Sequence, residues 1–332
     1  MAQIVLGIGT SHSPMLNATV EEWTWFEPRE STMKLLDREG APASYEALVA
    51  HAAGRFDAEC TAENYARRHA LAQAALDRIS GEMRSARLDA LIVIGDDQKE
   101  LFLEDALPSL LVHRGKTIPH QQRAPKPEWV DWFAAIQARY YLAAGRIEYP
   151  ADEKLAEHLI GHLIERGFDT AVSDRLPRGE GEGHAFAFVH SRLLNFDPVV
   201  PVVQVFLNTY YPPNQPTPAR CYEIGQAIRE AVESYPKPVR VAILGSGGLS
   251  HFAIDEPFDR SIIQALKDKD ANTLKSLPRN KLNSGNSEIR NWVAAAGAAE
   301  HLALAWAEYV PAYRSPAGTG TGLCFAAWRP TR

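Results

Sequence analysis

Leu88-Asp89-Ala90-Leu91-Ile92-Val93-Ile94-Gly95-Asp96-Asp97-Gln98 is the stretch on which the fold turns. Its apolar centre does not alternate with polar residues, so it reads as a strand buried on both faces, as in a parallel sheet covered by helices. Residues 4–8 repeat the form and close on Gly9, and residues 239–244 run into Gly245-Ser246-Gly247-Gly248. Residues 199–207, after Pro198, give another buried strand. Helical spacing lies between these runs. It covers 62–84 (Tyr65, Leu71, Ala75, Ile79), 126–144 and 152–166, the last with an acidic first turn and Gly167 just beyond. Residues 218–235 form a helix stopped by Pro236, another starts near Ser44, and the alanine-rich 288–309 reads as a buried helix. Strands alternating with helices imply an α/β fold: layered, with a partly parallel central sheet flanked by helices. With no internal repeat or linker, residues 1–332 read as one domain carrying an extra segment at about 20–60.

Composition narrows the function classes. The 332 residues are 45% apolar and 23% charged, ordinary for a globular protein able to bury a sizeable core. A net charge of -6 without a Lys/Arg cluster argues against a nucleic-acid partner. Cys60, Cys221 and Cys324 are odd in number and far apart, which suits a reducing compartment better than a disulfide framework or a zinc knot. The opening MAQIVLGIGTSHSP lacks the pattern of a signal peptide, and no apolar run reaches the roughly 20 residues of a membrane span. The expectation is a cytoplasmic protein with no membrane partner.

Four short segments carry the chemistry: Gly9-Thr10-Ser11-His12-Ser13-Pro14, Gly183-His184, Gly245-Ser246-Gly247-Gly248-Leu249-Ser250-His251 and Gly285-Asn286-Ser287-Glu288. Each sets a histidine or carboxylate close to a glycine, and two follow strands, where α/β sheets bind ligands. A non-haem iron centre uses two imidazoles, one carboxylate and open positions. Taken singly the signals are weak. His12 alone reads as well as a satisfied structural histidine, and the glycine turn 245–248 reads as turn chemistry or an anion nest. Gly7-Ile8-Gly9 lacks the third glycine of a dinucleotide fingerprint, and no Gly-Lys-Ser/Thr follows the later turn.

Together these segments resemble the class III extradiol ring-cleavage dioxygenases, in particular the family of the protocatechuate 4,5-dioxygenase β subunit. The likeness runs from the N-terminus to about residue 315 and is concentrated in short motifs. Residues 211–213 (Tyr-Pro-Pro) through Arg220-Cys221 and the helix end 231–236 are similar as well. The resemblance implies that His12 and Glu288 bind Fe(II), that His251 is the acid–base group, and that His184 stands near dioxygen and substrate. The implied reaction is ring cleavage by O2 of a catechol-type or methoxylated aromatic acid, by an enzyme expected to be a homo-oligomer. Arg220, Arg260 and Arg290 are the candidates for the substrate carboxylate.

One departure matters. Where the family has an Asn-Asp-His stretch with its second ligand histidine, this chain reads Asp96-Asp97-Gln98. Gln98 could ligate through its carbonyl, His51 could replace it, Asp96 or Asp97 could turn inward, or the metal could be absent. A metal-dependent hydrolase or lyase, and a non-catalytic binding protein, are the competing functions. His158 and His162 read as a surface pair, and the charge run 178–182 as a solvated loop. Trp23, Trp25 and Phe26 either line a substrate mouth or anchor the extra segment.

Overall fold

The computed structural model describes residues 1–141 and 145–331. Strand β1 (Gln3–Thr10) leads into a long excursion with α1 (Phe26–Glu30), the short pair β2 (Leu35–Leu36) and β3 (Pro42–Ala43), and α2 (Tyr45–Ala52). Helix α3 (Ala62–Ala86), capped by the Thr61 side chain, then delivers β4 (Ala90–Asp96). Next come β5 (Leu110–His113), β6 (Thr117–Gln121), α4 (Asp131–Ala138), β7 (Arg146–Pro150), α5 (Glu153–Glu165) and β8 (Ala171–Ser173). The second half holds α6 (His184–Phe188), β9 (Val202–Leu207), α7 (Pro218–Ser234), β10 (Arg240–Ser246) and β11 (His251–Ala253). It ends with α8 (Glu256–Asp268), α9 (Ala271–Lys275), α10 (Ile289–Ala298), β12 (Ala303–Tyr313) and β13 (Thr319–Arg329).

Nine strands form the main sheet in the order β11-β13-β1-β10-β4-β9-β5-β8, with β12 beside β13. Strands β1, β10, β4 and β9 are mutually parallel, while β13 and β5 turn antiparallel on either side. The unbroken apolar run of β4 explains the layering. Ala90, Ile92 and Ile94 face a core built with α5, α7 and α10, whereas Leu91 and Val93 face a second core with α3 and α6. Both faces are therefore dry, as the sequence requires. No helix of the described residues is long and apolar enough to cross a membrane.

The expected strands at 4–8, 88–95, 199–207 and 239–244 are all present, as are the helices at 44, 62–84, 152–166 and 218–235. Two expected helices differ. The one expected at 126–144 covers only α4, with strands β6 and β7 pairing around it; its final residues, 142–144, lie outside the described residues. The one expected at 288–309 ends at Ala298, and residues 303–309 belong to β12. Alanine content favours helix only weakly. Here the register Ala303↔Arg329 to Tyr313↔Gly320 against the buried β13 overrides it.

Two close approaches fix the end of the sheet where the parallel strands stop. Gly9 lies so near the Trp292 ring of α10 that a Cβ would sit 2.2 Å from it. Asp259 of α8 is fully buried and accepts hydrogen bonds from the Ser250 amide (2.9 Å), the Ser250 hydroxyl (2.6 Å) and the Tyr309 hydroxyl (2.7 Å), so it pins the segment just before β11. Burial pushes its carboxyl up to about 7, and these donors only partly oppose that.

Gly9→Ala should destabilise the protein by roughly 1–3 kcal/mol in urea unfolding, the usual cost of overpacking. Gly81→Ala, in α3 with nothing within 4 Å of its would-be Cβ, should instead stabilise by about 0.5–1 kcal/mol. Asp259 also sets a pH dependence. Its raised pKa means the folded state holds the proton more tightly, so its stabilising share is full below pH 3.8 and is lost as pH rises to about 7. Unfolding free energies from pH 4 to 8 should fall more steeply in the wild type than in Asp259→Asn; parallel slopes would remove Asp259 as the cause.

Candidate metal centre

The parallel register brings the ends of β1, β10 and β4 level, with Thr10 beside Ser246 and Gly245 beside Ile94. The segments that follow these three strands carry His12, His251 and Gln98 to one place. Glu288, at the turn entering α10, projects between them at 3% exposure. Gly247 makes room, since a Cβ there would lie 2.7 Å from that of Glu288. One cavity of about 260 Å³ opens over the group, lined among others by His12, Gln98, His184, His251 and Glu288. It is smaller than the ~300–1,000 Å³ typical of drug-sized sites, a scale suited to a single-ring molecule.

Hydrogen bonds fix the tautomers of the three imidazoles. The Ser246 hydroxyl donates to the Ala185 carbonyl (2.7 Å), so toward His12 it can only accept, and Nδ1–H of His12 donates to it at 2.9 Å. His251 Nδ1 lies 2.9 Å from the Leu249 carbonyl and His184 Nδ1 lies 2.7 Å from the Glu100 carboxylate, both pure acceptors. Every ring therefore carries its proton on Nδ1, and in its neutral form keeps a lone pair on Nε2. His12 Nε2 is buried without a hydrogen bond, 3.4 Å from Glu288 Oε2, and His251 Nε2 is 3.5 Å from the same oxygen. His12, His184 and Glu288 can each offer a ligand atom, all within 4.8 Å of one another. Outer partners on Nδ1 and inward lone pairs are what a divalent metal asks of histidine.

Charge follows the same plan. Burial works against the Glu288 carboxylate, but His12 and His251 outweigh it and hold the group at about 2, helped by the Gly248 amide at 2.7 Å. His184 is the exception: it is raised to about 9, because Glu100 outweighs the burial that would lower it, so the imidazolium is favoured and a metal at Nε2 would have to displace that proton. His251 goes the other way: burial lowers it, with Glu288 opposing only in part, which favours the neutral imidazole.

Gln98 enters the centre differently from the ligand expected of it. Its amide nitrogen donates to Glu288 Oε1 (3.2 Å) and faces Asp96 Oδ2 at 3.4 Å, so it orients the carboxylate with a donor. Asp96 stays behind the site, held also by the Asn291 amide at 3.1 Å, and Asp97 caps the amides of Leu101 and Phe102. His51 is exposed on α2 in a separate groove with Arg38 and Arg55, too far round the molecule to replace a ligand. The three expected carboxylate-binding arginines do not line the cavity. Arg220 lies on the surface over Phe168, Arg260 pairs with Glu256, and the buried Arg290 holds the carbonyls of Pro216, Thr209 and Leu282.

The remaining expectations divide. Trp23 is an anchor, wholly buried with its ring N–H on the Met15 carbonyl; Phe26 lines the cavity; Trp25 is 44% exposed. His158 is half-buried and bonds the Ala231 carbonyl at 3.0 Å, tying α5 to α7. The charge run 178–182 is not a solvated loop: Arg178 holds the carbonyls of Glu100 and Leu101, and Glu182 is fully buried. Glu182 Oε1 receives His120 (2.7 Å) and His190 (2.6 Å) and Oε2 receives Gln204 (2.7 Å), a second histidine–carboxylate group that lies outside the cavity. Neither this group nor the role of Glu100 is legible locally, because the partners come from distant parts of the chain. Arg29, Lys126 and Arg314 are the cations that line the cavity.

Comparison with known proteins agrees with this geometry. The model of the catalytic LigB subunit of aromatic ring-opening dioxygenase matches residues 77–323. A 2,3-dihydroxyphenylpropionate/2,3-dihydroxicinnamic acid 1,2-dioxygenase from Comamonas testosteroni is 26% identical over 183 residues, 54% of this chain and 49% of that protein. One of the same name from Azotobacter vinelandii is 35% identical over 114 residues, 34% of each chain. A gallate dioxygenase from Pseudomonas putida is 58% identical over 36 residues, 11% of each. The chain thus spans half or less of the length of these relatives. Three quarters of it, including His184, His251 and Glu288, falls within the family match, and the chain belongs to the family of the catalytic LigB subunit of aromatic ring-opening dioxygenases.

Proposed function

We propose that this protein is an extradiol-type dioxygenase that uses Fe(II) and O2 to open the ring of a catechol-type or methoxylated aromatic acid. The observation that carries the reading is the convergence of three Nδ1-anchored imidazoles and one ionised carboxylate at the strand ends, beneath a single-ring cavity. His12, Glu288 and His184 would hold the metal, a two-histidine, one-carboxylate set of the kind used by non-haem iron oxygenases. Gln98 would act from outside that set, holding the second oxygen of Glu288. The relatives support the substrate class, being named for aromatic acids whose rings bear neighbouring hydroxyls.

A redox-active metal, when bound, supplies the electron exchange through which an aromatic diol and O2 can react. The protein side of the mechanism rests on His251. Its neutral Nε2 faces the centre, and Gly248 and Gly285 pack against the ring, a Cβ at either lying within 2.6 Å of it. The ring is thereby held to take a proton from the incoming hydroxyl and to return it later, with Nδ1 fixed on Leu249 throughout. Phe26, Trp129 and Phe133 exclude water from one side of the ring site. We further read the protein as a cytoplasmic homo-oligomer acting without nucleic acid or membrane, in line with three free cysteines and a net charge of -6.

Metal content and turnover separate the roles. His12→Ala, Glu288→Ala and His184→Ala should each lose iron on metal analysis, while Gln98→Ala should keep most of it; full iron in the His184 variant would return that residue to a role toward dioxygen. His251→Phe should retain iron yet lose roughly 10²–10⁴-fold in oxygen uptake, the usual weight of a general acid–base group. Metal binding without oxygen uptake on any substituted catechol would turn the assignment toward hydrolase or lyase chemistry.

A further inference from the structure

Part of the cavity wall, with Phe26, Arg29 and Met33, comes from the excursion between β1 and β4, before the family match begins at residue 77. Two arginines meet there. Arg314 is paired, with its Nε on Glu30 Oε1 in a buried ion pair, and Glu30 Oε2 is taken by the Thr319 hydroxyl. Arg29 also faces the cavity, from α1. Among the described residues its guanidinium makes no ion pair or hydrogen bond; its central carbon lies over the Phe133 ring, 3.9 Å from the centroid. The neighbouring Glu30 carboxylate is thus taken by Arg314 and Thr319 and makes no ion pair with Arg29. Burial, and then the Arg314 charge, pull the Arg29 pKa down against the opposing pull of Glu30, and none of the cavity's carboxylates pairs with this guanidinium among the described residues. Lys126, the third cation of the wall, is occupied with the Gln98 carbonyl at 3.0 Å.

We propose that Arg29 binds the carboxylate of the aromatic substrate and makes this chain selective for acids over neutral diols. Phe133 packs against the guanidinium, whose donors have no partner among the described residues, so they remain for a carboxylate, which a guanidinium can hold with two parallel hydrogen bonds. Arg29, Phe26, His251, His12 and Glu288 line one cavity, so a ring whose carboxylate is held by Arg29 would share that space with the imidazoles and Glu288 that its diol must reach. Selectivity thus comes from the extra segment, while the chemistry stays on the strand ends. The inference rests on the dioxygenase reading for the diol end alone.

The test is anaerobic calorimetric titration of the iron-loaded full chain with gallate and with its methyl ester, alongside oxygen uptake. Wild type should bind the acid more tightly than the ester. Arg29→Met should lose roughly 10- to 100-fold in affinity for gallate and nothing for the ester, as expected for a charged hydrogen-bonded pair. Arg29→Lys should recover part of the loss, since a point charge lacks the planar fork. Equal affinity of wild type for the two ligands, loss of both in Arg29→Met, or no loss of gallate would each overturn the inference. Arg29-dependent binding without oxygen consumption would leave it standing and sink the dioxygenase reading. Oxygen consumption with no discrimination by Arg29 would do the reverse.

Discussion

A carboxylate as deeply buried as Glu288 survives ionised only where donors and positive potential surround it, and the rest of the centre is organised by that requirement. The Gly248 amide and the Gln98 side chain take its two oxygens, and two imidazole Nε2 atoms approach Oε2 within 3.5 Å. These groups arrive from the ends of three strands, Gly248 and His251 both after β10, so the carboxylate ties β10, β4 and β1 to the entry of α10. That entry is itself fixed, with the Trp292 ring N–H on the Gly247 carbonyl at 2.6 Å and the Asn291 amide on that of Ser246 at 2.8 Å. Sheet geometry and electrostatics are here one constraint.

The sheet centre was readable because β1, β4 and β10 are buried on both faces, and such burial leaves uninterrupted apolar text. His12, His251 and Glu288 were readable for a related reason: glycine-rich turns must stand beside them for the backbone to pass so close. The periphery was not. Strand β12 is half-exposed and rich in alanine, so its state depends on β13, a partner that local propensity does not contain. Strands β6 and β7 pair only with each other, and neither carries a long apolar run.

The site's outer shell was hidden for another reason. Glu100 orients His184 from 84 residues away, and Ser246 orients His12 from 234 residues away. Hydroxyls and carboxylates of this kind have no signature until the strands align them. The arginine candidates failed similarly: Arg290 stands two residues from Glu288 in sequence, yet it does not line the cavity and instead closes three backbone carbonyls. A cation already satisfied by carbonyls has little left for a substrate. Arg29, which makes no ion pair or hydrogen bond among the described residues, sits in the extra segment ahead of the helix expected at Ser44, where the text shows neither strand nor helix spacing.

Gln98 brings these threads together. An imidazole at that position would compete for the metal, whereas an amide cannot do so with comparable strength, and here its N–H donors are committed to two carboxylates. On the proposed reading, His184 would stand in for the basic ligand absent at the end of β4; its Nδ1 is held by Glu100 and its ring meets that of His12 edge-on at 4.7 Å. Glu100 stands just two residues beyond Gln98, so the segment that no longer supplies an imidazole supplies the carboxylate that aims another one. The proposed two-histidine, one-carboxylate set would then draw its second histidine from α6, anchored by the segment that follows β4.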